Sequence, residues 1–407
     1  MHACTRQAPL AACEPKATPQ SALRVQRARV EGTDVLVLVP TTGGSSLRVV
    51  SEQGLRTLRE HGFDIIAKRD VPVDNTAIRP AAVTYQLPIR QWVFTADTSA
   101  HFDRRIHDAL MDIEAVAYTE PSLLGLYPLS ISARTQVLKG RLNSNEVVPY
   151  FSDLSDPRME VHSMFFHTRF STNTVPNATM AQPFRLMAHN GELNTDKKNR
   201  LSDNAVARAR NRAIVRPVGQ SDSCRLDQTL QNRVLEDELD LITAVVAMMP
   251  PAWENDETLS PQVRAMLEFF SLYEEKNDGP AALIFGDGTY IGARLDRLGL
   301  RPLRSVETAE YLGVMSEAGQ VYFPPEEVIK RGRIEAGGML YYDHRERRSY
   351  DTVEALEKLA RQHDYQSMLN EARVNLADLP AVPLFSRDAW SYLAQGAMTA
   401  AGGGPTA

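Results

Sequence analysis

Apolar residues fall in short, punctuated runs along the chain. TDVLVLVP (33–40) is a continuous β-branched run closed by proline, which reads as a buried strand. Thr41-Thr42-Gly43-Gly44 is a loop. Val50, Leu55 and Leu58 then share one side of a helix ending at His61, with Gly62 as its stop. The pattern predicts a strand over Phe63–Val71. A helix follows with Phe102, Ile106, Leu110 and Ile113 on one face. Leu129–Leu138 alternates as a strand pair or edge strand, and Val161–Phe170 is another strand. AALIF (281–285) and TYIGARL (289–295) flank Asp287-Gly288, a strong hairpin signal because Asp-Gly supplies positive φ. Further strands are expected at YLGVMSE (311–317) and GGMLYYD (337–343), and helices near Asp227–Leu235 and Pro261–Glu275. Strands group with strands and helices with helices, so the expected class is α+β with antiparallel sheets, not an alternating doubly wound fold.

Composition narrows the chemistry. With 407 residues, 43% hydrophobic and 24% charged, the chain can bury a large core. Its net charge of −6 removes the electrostatic case for sequence-independent nucleic-acid binding. No apolar run of about 18 residues occurs, so no membrane span is expected. The three cysteines, Cys4, Cys13 and Cys224, exclude a disulfide framework, a zinc cluster and a clustered-thiolate iron–sulfur site. They favour a reducing, cytoplasmic compartment. Residues 1–28 read as irregular, and AQGAMTAAGGGPTA (394–407) as a flexible tail.

Three polar segments stand out. His167-Thr168-Arg169-Phe170-Ser171-Thr172-Asn173-Thr174 puts an arginine where a strand ends. It fits bidentate capture of a carboxylate, or an ordinary ion pair with a structural aspartate. In Ala188-His189-Asn190-Gly191-Glu192, Asn-Gly is first a hairpin turn. Alternatively an Asn side-chain N–H and a Gly backbone N–H converge as an oxyanion hole. Gly219-Gln220-Ser221-Asp222-Ser223-Cys224 is a loop with a helix N-cap, or places Asp222 to take up a ligand ammonium. Cys224 reads as a small buried residue, since nothing nearby marks an activated thiolate.

Together, HTRFSTNTVPNATMAQPFRLMAHNGELNT and GQSDSCRLDQTL resemble the glutaminase domain of the large subunit of glutamate synthase. That family is a class II glutamine amidotransferase of the N-terminal-nucleophile hydrolase type. The resemblance continues through MMPPAWEN, GPAALIFGDGTYIGARLDRLGLRPLR and KRGRIEAGGML, over roughly residues 33–375. It implies a four-layer αββα sandwich of two antiparallel sheets between helices. It divides the chain into a divergent segment 1–32, an amidotransferase domain 33–375 and a divergent tail 376–407. It implies that Arg169 pairs with the α-carboxylate of glutamine with support from Thr172. By the same resemblance Asp222 binds the α-ammonium, and Asn190 with the Gly191 backbone forms the oxyanion hole. Arg297 and Arg301 are expected to be structural or to face the substrate loop.

The family's nucleophile is an N-terminal cysteine whose own amine acts as general base. It opens a Cys-Gly-Val/Ile-x-Gly strand, and this sequence has no such motif. Cys4 becomes terminal if three residues are removed, but Pro9 argues against a central strand there. Incomplete N-terminal strands with an unpaired edge are therefore expected, as in a truncated chain. Two readings result: a glutaminase acting through a cysteinyl thioester, or a glutamine-binding remnant without its nucleophile. An unrelated α+β interaction domain does not account for the three segments together. The resemblance implies glutamine as substrate and a separate synthase domain or subunit as partner. FMN, an iron–sulfur cluster and NADPH or ferredoxin belong to parts of the family enzyme outside these residues.

Overall fold

A computed structural model describes the backbone of residues 2–6 and 33–39, together with residues 54–96, 101–123, 126–168, 180–193, 197–374 and 377. Its first half contains β1 (His2–Arg6), β2 (Thr33–Val39), α1 (54–60), β3 (Phe63–Asp70), α2 (Pro80–Val83), β4 (Arg90–Ala96) and α3 (Phe102–Ala117). Next come β5 (Tyr127–Ser132), α4 (Val147–Tyr150), β6 (Ser163–Phe166) and β7 (Met187–Gly191). Four helices follow: α5 (Lys197–Ala209), α6 (Asp222–Leu235), α7 (Leu241–Met248) and α8 (Pro261–Tyr273). The remainder is β8 (Ala281–Gly286), β9 (Tyr290–Leu295), β10 (Arg304–Thr308), β11 (Tyr311–Met315), β12 (Val328–Arg333), β13 (Met339–Asp343), β14 (Arg348–Tyr350), α9 (Thr352–Ala360) and α10 (Tyr365–Ala372).

Two antiparallel five-stranded sheets pack together. One has the order β12-β10-β11-β1-β6 and the other β14-β13-β9-β8-β7. The two-residue period of a strand sorts the side chains of the second sheet. Ala282, Ile284, Ile291, Ala293 and Leu295 meet Leu312 and Val314 of the first sheet in a shared core. Ala281, Leu283 and Phe285 turn the other way, onto α7, α8 and α9. Helix α7 is buried along its whole length, as its all-apolar run requires, and Pro250-Pro251 follow its end.

The α+β class with antiparallel sheets holds, and three features differ from the sequence expectation. First, a third sheet of order β3-β4-β2-β5 exists. With α3 it builds its own core around Trp92, Phe94, Ile106, Leu110 and Leu129, which Phe184 and Cys224 join. Second, residues 1–28 are not wholly irregular. β1 is an inner strand hydrogen-bonded to both β11 and β6, filling the place expected to be open. Pro9 does not oppose this, because the strand ends at Arg6. Third, Asn190-Gly191 is not a hairpin turn. Both residues lie in β7, opposite Ala282 and Ala281 of β8.

Smaller differences have local causes. Helix α6 starts at Asp222, five residues earlier than its apolar pattern suggests, because Ser221 caps it by accepting the Cys224 N–H at 3.2 Å. β5 stops at Ser132, whose hydroxyl accepts the N–H groups of Arg134 (3.0 Å) and Thr135 (3.2 Å) and turns the chain. The Asp287-Gly288 hairpin is as expected, with Gly288 at φ +85°.

Candidate active site

Among the described residues β7 is the last strand of its sheet, and its start is fixed by buried charges. The Asp227 carboxylate on α6 accepts the backbone N–H groups of Leu186 (2.9 Å), Met187 (3.2 Å) and Arg185 (3.2 Å). Burial pushes its acidity down, and those N–H bonds oppose the shift. The Arg185 guanidinium, itself buried, bonds Glu114 on α3, Gln231 on α6 and the Pro128 carbonyl on β5. One arginine thereby ties the third sheet to the strand that carries the oxyanion candidates.

The directions of backbone groups along β7 follow from two observations. Gly286 N–H donates to the Leu186 carbonyl, so residues 186, 188 and 190 bond toward β8. The His189 N–H instead donates to Gln182 Oε1 at 2.5 Å. By the same period the Gly191 N–H points away from β8, on the side where His189 meets Gln182, and it has no partner among the described residues. Gly191 sits at φ +148°, and a Cβ there would lie 1.8 Å from the Pro280 carbonyl oxygen, so only glycine fits. The neighbouring Asn190 accepts a hydrogen bond at Oδ1 from Arg301 Nη2. Among the described residues its amide nitrogen has no hydrogen-bond partner.

The other candidates gather around this edge to different degrees. His189 is 3% exposed and shares a hydrogen bond through Nε2 with Ser223 Oγ. Residues adjacent to Asn190 and to Asp222 are therefore in contact. Burial pushes the His189 pKa down to about 3, and His167 and Arg301 push it the same way, so the ring is neutral. His167 follows the end of β6. The pairing of His2 with Phe166 puts the beginning of β1 beside that end. Asp222 occupies the first turn of α6 and pairs with Arg200 at 3.3 Å, both partly exposed. Arg169 and Thr172 lie outside the described residues. Cys4 sits in the middle of β1, opposite Gly313 and Met164. Cys224 is buried, and burial raises its thiol to about 11, against a hydrogen bond with Tyr127 at 3.7 Å. It is not an activated nucleophile.

His189, Ser223 and Asp227 were not singled out as site residues by sequence reasoning. Each sits within a flagged block, yet its role depends on contacts tens of residues away. Of the two arginines in DRLGLRPLR, Arg297 is structural, paired with Asp278 at 2.8 Å, and Arg301 reaches the site.

Comparison with known proteins places the chain in a family. The family profile described as class-II glutamine amidotransferases matches residues 25–368. The chain belongs to that family. More particularly, it is similar to glutamate synthases. It is 34% identical over 334 residues to the glutamate synthase [NADH] of Schizosaccharomyces pombe, covering 77% of this chain and 16% of that protein. It is 32% identical over 358 residues to the chloroplastic ferredoxin-dependent glutamate synthase of Spinacia oleracea, covering 82% and 21%. For the ferredoxin-dependent glutamate synthase of Antithamnion sp. the identity is 30%, covering 78% and 22%. The chain thus spans about a fifth of the length of these relatives. A solved glutamine phosphoribosylpyrophosphate amidotransferase from B. subtilis is 13% identical, covers 78% of this chain and 48% of that one, and superposes with a TM-score of only 0.26. Among the described residues no helix is long and apolar enough to cross a membrane.

Proposed function

We propose that this chain is the glutaminase part of a glutamate synthase, releasing ammonia from glutamine for glutamate formation. The observation that carries the reading is the end of β7. There the Gly191 N–H and the Asn190 amide nitrogen have no hydrogen-bond partner among the described residues, and the adjoining His189 feels the charge of His167, just past the end of β6. In the proposed reaction Arg169 and Thr172 hold the α-carboxylate of glutamine and Asp222 its α-ammonium. The two β7 donors stabilise the oxygen of the tetrahedral intermediate. A cysteine thiolate attacks the side-chain carboxamide carbon. The C–N bond then breaks, ammonia leaves with the proton delivered by the terminal amine, and a thioester remains. Water cleaves the thioester to glutamate and restores the thiol.

Cys4 is the candidate nucleophile, with its amine freed by removal of the three preceding residues. Removal would forfeit the pairings of His2 and Ala3 with β11 and β6. The second reading, glutamine binding without turnover, applies if those residues are retained, because the Cys4 nitrogen is then a peptide N–H. In either case the chain needs no cofactor of its own and works in the cytoplasm. It has no nucleic-acid or membrane partner, and a separate synthase domain or subunit carrying FMN, an iron–sulfur cluster and a route from NADPH or ferredoxin takes the ammonia.

The test is ammonia release from glutamine by the purified chain, with and without Cys4→Ala, alongside calorimetric titration with glutamine. Absence of glutamine-dependent ammonia sinks the hydrolytic reading. Binding without turnover supports the second one. Arg169→Ala should abolish binding, and unchanged affinity would refute the assigned pocket.

A further inference from the structure

We infer that Arg301 is a positioning residue that sets the orientation of the Asn190 amide and so decides whether a donor or an acceptor faces the substrate. The inference rests on the oxyanion reading of Asn190 and goes beyond it. An amide presents an acceptor at one end and two donors at the other, and the two ends are nearly alike in shape. A guanidinium has donors only, so the end that meets Arg301 has to be Oδ1. With Oδ1 committed to Arg301, Nδ2 is the end of the amide left for the substrate. The flipped amide would bring an oxygen against the developing oxyanion and repel it.

The loop that delivers Arg301 is built to hold still. The buried Asp296 carboxylate accepts the N–H groups of Leu298 (3.2 Å) and Leu300 (3.1 Å) through Oδ2, and that of Ala281 (3.1 Å) through Oδ1. Gly299, at φ +66°, and Gly337, at φ +65°, both donate to the Asp296 carbonyl, at 3.0 Å and 2.9 Å. Pro302 restricts the backbone of Arg301 itself. Ala281 is also the residue opposite Gly191. The same point of β8 therefore locates both the loop and the second oxyanion donor. Arg301 Nε is buried without a hydrogen-bond partner among the described residues, so Asn190 is the one polar side chain its guanidinium engages there. The cation also raises the local potential where negative charge is to develop.

The experiment compares Arg301→Ala, Arg301→Lys, Asn190→Ala and the Arg301→Ala/Asn190→Ala double variant in ammonia release from glutamine, after thermal melts confirm folding. Loss of one oxyanion donor costs about 100-fold or more in kcat, so Arg301→Ala should lower kcat by about 10- to 100-fold with KM within about twofold. Arg301→Lys, which still donates, should recover part of the loss. The double variant should be no worse than Asn190→Ala alone, because Arg301 acts through Asn190. Independent, multiplying losses would overturn the inference. A second arm reads the orientation without turnover. The protein is labelled with ¹⁵N-asparagine, and the Asn190 side-chain amide pair is identified by its disappearance in Asn190→Ala. Arg301→Ala should shift that pair strongly and Arg301→Lys less. An unmoved pair in Arg301→Ala would overturn the inference. If the parent chain releases no ammonia, the proposed function fails by itself, and the amide signal alone decides the role of Arg301.

Discussion

Arg294 supports the sharpest stability prediction in this fold. It lies on β9 with no exposure to solvent, facing the layer of α7 and α8 together with its cross-strand neighbours Leu283 and Met339. Its Nε donates to the Met249 carbonyl at 2.5 Å, while Nη1 and Nη2 have no hydrogen-bond partner among the described residues. Burial alone pulls its pKa down to about 9. At about 1.4 kcal/mol per tenfold, that shift means holding the charge in the folded state costs roughly 5 kcal/mol at neutral pH as an upper bound. The sign follows from proton binding. Between about 9 and the ordinary arginine value the unfolded chain holds the proton more tightly, so stability rises with pH across that window and the penalty is complete below it. Arg294→Met keeps most of the volume, removes the charge and gives up one hydrogen bond worth about 1–2 kcal/mol. Replacing buried charge with apolar side chains of similar size gains about 1–4 kcal/mol where it has been measured. Arg294→Met should therefore be more stable by about 2–3 kcal/mol, and Arg294→Lys should not. Urea unfolding at neutral pH reads this as a higher midpoint at unchanged slope. A midpoint lowered by the equivalent of about 1 kcal/mol or more would mean that the two Nη groups are satisfied in solution, and the reasoning would fail.

Two other buried groups give independent tests. His107 on α3 is fully buried with neither ring nitrogen partnered among the described residues; burial is the main cause of a pKa near 3, with Arg212, Arg104 and Arg185 adding to it and Asp108 opposing. Its folded pKa is depressed, so stability is lost as pH falls from about 6.5 toward 3, and His107→Leu should recover roughly 3 kcal/mol at pH about 4 in a pH series of urea melts. Cys224, with its thiol raised to about 11, should react with iodoacetamide only as fast as the protein unfolds. Peptide mapping that finds it labelled rapidly in the folded state would contradict its burial.

What could be read from the sequence divides by the range of the interactions involved. The β8–β9 hairpin was legible because Asp287-Gly288 carries the turn locally. The helix over 102–117 was legible because its apolar stripe repeats every turn. β1 was not, since His-Ala-Cys-Thr-Arg has no apolar alternation; its strand character comes from β11 and β6, more than 150 positions further along the chain. The same kind of override misled the reading of Asn190-Gly191. Asn-Gly is a strong local turn signal, but pairing with Ala281 and Ala282 extends it, and Pro280 supplies the reason for the glycine.

The site divides along the same line. Asp222 shows why no single residue there could be decided from its neighbours. It is at once an acidic residue in the first turn of α6, a partner of Arg200 and the residue before Ser223, which meets His189. Each bland explanation of such a residue is true as far as it goes. What separates function from structure is convergence. The end of β7, the cap of α6 and the 296–303 loop each solve a local problem of hydrogen bonding or turn geometry. Among the described residues they leave an amide nitrogen and a backbone N–H without partners at the end of β7. Buried polar atoms without a partner occur elsewhere in this protein, at Arg294 and His107, so an unpartnered donor alone does not mark a site. At the end of β7 two donors on adjacent residues lack a partner among the described residues, and their adjacency is what fits a ligand that arrives with negative charge.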